Sequence, residues 1–195
     1  MQKLTFMYSS GLYFNSYATN KDGAMEKLFF DGTTLTWKGK GIFKATSGMT
    51  HFQMPKNQCI PDRGPVPEGN YYIPLIKGDY AKDDGNGICQ LKPSWQIEKI
   101  PRGSKAGACE PFWANWGNNR VRFEPSDVGT KNKCKPSRSG FYLHDSTKGF
   151  SHGCIEVEES FFNSLRGYIK SNRNKKLLLN IKYTPGIQTN GGTFK

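Results

Sequence analysis

The chain has 195 residues, 28 basic against 16 acidic, for a formal charge of +12. That length suits one domain over residues 1–195, and so basic a surface seeks a polyanion. It carries no Arg-rich helix or nucleic-acid fold signature, which argues against nucleic acid, and no apolar run near the ~20 residues that cross a bilayer, which argues against stable membrane insertion.

Frequent glycine and proline, with few helical stretches, predict a mainly β domain rich in turns. The opening MQKLTFMYSS lacks the apolar segment and cleavage site of a signal peptide. If this is the native start, an extracytoplasmic role would need another export route; a chain whose signal had been removed would read the same. Strands are expected at residues 3–8, 27–31 and 33–38, the last two joined by an Asp31-Gly32 hairpin turn. A further strand is expected at 41–46. Residues 47–68 read as loop, closing on Gly64-Pro65-Val66-Pro67-Glu68-Gly69. Residues 70–76 are apolar and aromatic, as a strand requires.

Residues 78–118 form a long excursion rich in Gly, Lys, Asp and aromatics. Within it Phe112, Trp113 and Trp116 read as core or loop anchors rather than a glycan groove. Strands are expected at 119–124 and 140–144, around a basic, solvated loop at 125–139. From 158 to 170 the apolar residues Phe161, Phe162, Leu165, Tyr168 and Ile169 recur at helical spacing. Glu158 and Glu159 begin that helix and Lys170 ends it, in agreement with its dipole. A last strand spans 176–183, and the Gly- and Thr-rich tail, about 184–195, is expected to be flexible.

Five cysteines leave at least one thiol outside internal pairing. Cys59, Cys89, Cys109 and Cys134 lie in loop-like surroundings and suit two disulfides outside the reducing cytosol. Three pairings are open. Short loop closure leans to Cys59–Cys89 with Cys109–Cys134. Cys154 is then free, within a segment that also holds His144 and His152. A thiol attacks a carbonyl as thiolate, so it needs a base or a depressed pKa. Gly153 permits a tight turn before it, and the nearby helix could favour a thiolate. No histidine follows Cys154, so the base comes from His51, His144 or His152. His51 reads as a surface residue. Asp145 is adjacent to His144 on a strand and faces away from it, which leaves a backbone carbonyl as the expected orienter.

Ser151-His152-Gly153-Cys154-Ile155, with His144 upstream, resembles the Ser-His-Gly-Cys signature of L,D-transpeptidases with the YkuD-type catalytic domain. Wall-synthesis members space the two elements more widely and carry Arg where this chain has Glu156. The ten-residue spacing here is closer to the type VI secretion effector branch. Ala45-Thr46-Ser47-Gly48 and the block from Gly64 to Tyr71 also look like that branch.

The resemblance implies an L,D-transpeptidase-like β-sandwich with one α-helix after the catalytic cysteine. It implies Cys154 as nucleophile and His144 as base, with Ser151, His152 and Gly153 shaping the substrate pocket and oxyanion site. It implies L,D-carboxypeptidase or D-amino-acid exchange on peptidoglycan stem tetrapeptides, without a cofactor. An antibacterial toxin acting in the target periplasm would also meet an immunity protein and a component of the secretion apparatus. Two other readings compete. One is a non-catalytic wall-binding module. The other is a zinc peptidase using His144, His152 and Cys154 as ligands.

Overall fold

The computed structural model describes residues 25–195 apart from 173; the strand expected at 3–8 lies outside them. Ten strands follow in chain order: β1 (Lys27–Phe30), β2 (Thr34–Trp37), β3 (Gly41–Ser47), β4 (Gly69–Pro74), β5 (Ile76–Tyr80), β6 (Gln96–Lys99), β7 (Asn119–Pro125), β8 (Phe141–His144), β9 (Ile155–Val157) and β10 (Lys176–Ile181). Three helices join them: α1 (Glu110–Trp113), α2 (Val128–Lys131) and α3 (Glu159–Ser171). The protein is mainly β.

Alternation along the strands explains the architecture. Leu28 and Phe30, Leu35 and Trp37, Val121 and Phe123, and Leu177, Leu179 and Ile181 all point inward and are buried. Eight strands run in the order β4-β10-β1-β2-β3-β9-β8-β7, and β7 pairs back onto β4. The expected sandwich therefore closes at both edges into a ring, leaving β5 and β6 as an extension on β7. The apolar stripe of α3 seats Phe161 against Phe43 and Trp37, and Tyr168 against Trp37, at ring separations of 5.5, 6.2 and 5.1 Å.

Three expectations need correction. The disulfides are Cys59–Cys134 and Cys89–Cys109, with Cys154 free. Proximity in space outweighs loop length, because the pairing that contains the 20-residue loop also contains one of 75. The excursion takes in the end of β5 and all of β6, which lack clean alternation: β5 is the edge strand with no buried residue, and β6 buries its neighbours Ile97 and Glu98 on opposite faces. The tail is not loose: Thr189 and Thr193 are buried, and Asn190 forms a bridge with Thr46. Small threonines and glycines let it lie flat along β3, where Ser47 N donates to the Thr189 carbonyl at 2.9 Å and Gly191 N to Ala45 at 3.1 Å.

Candidate active site

Register brings five polar side chains into one row across the sheet. Glu98 pairs with Arg120, Arg120 with His144, His144 with Glu156, and Glu156 with Thr46. All five are buried. They occupy the face opposite the apolar core, where the excursion and the loop before Cys154 cover them. A buried polar row persists only if its members satisfy one another. Arg120 Nε donates to Glu98 at 2.9 Å, and its guanidinium lies 5.1 Å from the Trp116 ring. Trp116 in turn meets His144 edge-on at 5.6 Å.

The turn carrying Cys154 is held by the two upstream blocks. The Cys154 carbonyl accepts from Ser47 Oγ at 2.7 Å and Ser151 Oγ at 2.5 Å. Ser47 Oγ accepts from Val66 N, and Ser151 Oγ accepts from Gly48 N. Gly153 has φ +82°, and a Cβ there would lie 2.3 Å from Arg138 Nη2. Glycine is needed twice over, for the left-handed backbone and for the guanidinium beside it. Arg138 is anchored on the carbonyls of Gln58, Gly64 and Pro65, the last at 2.7 Å. It belongs to the loop expected to be merely solvated, yet it lines a cavity with Cys154.

His144 is oriented by side chains rather than by a backbone carbonyl. Its Nδ1 lies 3.1 Å from Ser146 Oγ, and that hydroxyl donates to Glu156 Oε2. With its one proton directed at the carboxylate, Ser146 accepts from Nδ1–H. Nε2 is then the nitrogen free to take a proton. Glu156 also accepts from the backbone of Lys148 at 3.0 Å and Gly149 at 2.8 Å, and it touches the Thr193 hydroxyl of the tail. Asp145 turns away, as expected, and accepts from the backbone of Asn118 and Asn119 and from the Asn119 side chain.

Burial sets the protonation of the pair. It drives His144 down to about 3, aided by nearby Lys148 and His152. Cys154 is partly exposed, yet the surrounding protein pushes its thiol up to about 11 against a backbone hydrogen bond from Tyr142 and the charge of Arg138. At neutral pH both groups are uncharged. The helix gives no direct help, because β9 intervenes between Cys154 and α3.

Two cavities meet at Cys154, and His152 borders both. One, of about 230 Å³, is lined by Trp116, His144, Lys148 and Ser151 among others. The other, of about 240 Å³, is lined by Arg138, Phe141 and Gly153 among others. Each therefore contains one cation beside the sulfur. Burial lowers the pKa of both Lys148 and Arg138.

The structure thus brings Cys154, His144 and His152 onto one cavity wall, with His152 exposed and Ser151 and Gly153 buried, each at the border of one of the two cavities. His51 is exposed, with φ 73°. Trp113 anchors the excursion by donating to the Cys89 carbonyl, Trp116 lines the site and Phe112 is exposed. Among the described residues, the His/Cys/Asp/Glu group with metal-site spacing is Asp83, Cys89 and Cys109, and its cysteines are bonded to each other. Sequence reasoning missed Ser146, Glu156, Thr193 and Arg138. The one available signal was Glu156 itself, an acidic residue in an otherwise apolar strand, Ile155–Val157.

The model of the Tlde1 domain family matches residues 41–179, which span every strand from β3 to β9 and all of α3. No curated protein matches the chain.

Proposed function

The chain belongs to the Tlde1 domain family, a family of type VI secretion effectors, and from that premise we propose that it is a cysteine-dependent acyltransferase on peptidoglycan stem tetrapeptides. The observation that carries this reading is the neutral Cys154–His144 pair on one cavity wall, with Nδ1–H fixed by Ser146 and Glu156.

The steps follow from that pair. His144 Nε2 takes the thiol proton as Sγ bonds to the carbonyl carbon of the third stem residue. Backbone N–H groups of the Gly153–Cys154 turn stabilise the oxyanion; one such donor is typically worth ~3 kcal/mol. The intermediate collapses, the C–N bond breaks, and D-alanine leaves with the proton from His144. Water or the amine of a D-amino acid then attacks the thioester while His144 again accepts a proton. The products are a shortened or exchanged stem and the free Cys154 thiol. Starting from neutral groups, charge develops only during attack, where Lys148 and Arg138 can answer it. Ser151 and Gly153 act by holding the turn, and His152 by bordering both cavities.

The effector would act in the periplasm of a target bacterium, with an immunity protein protecting its producer. Purified protein and Cys154→Ala, incubated with muropeptide tetrapeptides with and without a free D-amino acid, test the chemistry. Mass analysis should show loss or exchange of D-alanine by the wild type alone. Intact stems with folded wild-type protein would overturn the reading and leave wall binding in its place.

A further inference from the structure

We propose that the groove between the β5–β6 extension and α3 is a binding site for a linear phosphate-bearing polymer. Its main hollow, about 580 Å³, is lined by Lys99, Arg102, Lys105 and Arg166. Lys99 and Arg166 form a shared wall with a second hollow of about 320 Å³, which adds Lys77 and Lys170. Six cations line the two hollows beside two carboxylates, Glu159 and Asp79, and Arg102 is paired with a third, Glu110. With that pair set aside, five cations remain against two carboxylates, a higher ratio than the 28 to 16 of the whole chain. None of these residues borders either cavity at Cys154.

Excess charge alone would describe an ordinary solvated face. What distinguishes the groove is that four of its cations are fixed in place by neighbours. Arg102 donates to Glu110 at 2.7 Å and to the Gly117 carbonyl at 3.2 Å. Arg166 donates to the Asn119 side chain. The ammonium groups of Lys105 and Lys99 sit 3.9 and 6.0 Å from the centre of the Tyr80 ring. Cations ordered before a ligand arrives lose less freedom on binding it. Arg166 is also half-buried, and burial lowers its pKa; a bound anion would offset that cost.

The shape and chemistry select the ligand class. Two adjoining hollows that share Lys99 and Arg166 suit a chain rather than a single small anion. Cations come from the strand side, the helix side and the 102–105 loop. A tetrahedral phosphate offers oxygens to several walls, whereas a planar carboxylate favours one. Lysines cover the Tyr80 ring, which removes it as a platform for base stacking and argues against single-stranded nucleic acid.

Fluorescent inorganic polyphosphate, followed by anisotropy against the full chain, tests this. Lys99→Gln/Lys105→Gln removes two groove charges, and Lys38→Gln/Lys56→Gln removes two exposed charges elsewhere. All four lysines are exposed, so both variants should fold. The groove variant should bind at least about tenfold more weakly, with a salt dependence flatter by roughly one unit per cation removed. The control variant should change by less than about twofold. The affinity should be the same in Cys154→Ala, which separates this site from the chemistry proposed for the thiol. Equal losses in the two lysine variants would reduce the effect to diffuse charge and overturn the proposal. So would wild-type binding of polyglutamate as tight as that of polyphosphate, or no polyphosphate binding.

Discussion

Cys154 and His144, the proposed nucleophile and base, are supported by different parts of the chain and by different physics. Cys154 is positioned by shape: a left-handed Gly153, two serines on its carbonyl, and Arg138 wedged behind the turn. The supports come from the segments around 47 and 64–66 and from the loop stapled by Cys59–Cys134. His144 is positioned by proton order, through Ser146 to a carboxylate that the C-terminal tail helps to enclose. Damage to the first support should therefore appear as lost stability and lost turnover together. Damage to the second should appear in turnover and its pH profile while the fold survives.

The sharpest way to break this contrast is Glu156→Gln. An amide can hydrogen-bond to Ser146 with the opposite polarity, which frees Nδ1 to lose its proton and misassigns Nε2. Turnover should fall by up to about 10⁴-fold, by analogy with tautomer loss in a serine-protease triad, with KM little changed. Thr193→Val should act along the same path more weakly, costing about tenfold, and Thr193→Ser should restore it. Steady-state kinetics across pH would check both. An unchanged kcat in Glu156→Gln would mean that the tautomer is set elsewhere.

Gly153→Ala should behave differently. Its strained backbone and the displacement of Arg138 should cost about 1–3 kcal/mol of stability and lower activity in parallel, visible as a reduced Tm. If the variant keeps its Tm and loses only turnover, the turn is not held by shape as described.

The smallest effect concerns acid. His144 is neutral when folded, with its pKa depressed to about 3 from 6.5. Between those values the unfolded chain binds more protons, so stability falls as pH drops below about 6.5. One such group contributes a slope of at most about 1.4 kcal/mol per pH unit. Denaturant unfolding at pH 7 and pH 5 should show it, and His144→Gln should lose that share of the slope.

Cys154 stood out because it is a free thiol after glycine, whereas the choice of His144 over His51 and His152 rests on the resemblance carried by residues 151–155. Strands β1 to β4, β7, β8 and β10 and helix α3 were legible because alternation and helical spacing report which face is buried. Strands β5, β6 and β9 were not: β5 has no buried residue, β6 buries neighbours on both faces, and β9 is three residues buried throughout. Ser146 and Thr193 gave no signal at all. A hydroxyl near a histidine in sequence, or one 37 residues past Glu156, looks like any surface residue until the register is known.

By itself the sequence determined a mainly β chain and the cysteine left outside the disulfides, since composition, periodicity and short motifs act over a few residues. The tertiary structure decided the ring closure, the disulfide partners, the docking of the tail and the row from Glu98 to Thr46. Each depends on which strands become neighbours. A strand's alternation specifies which of its faces is buried, but the identity of the strand beside it comes from packing the whole core at once.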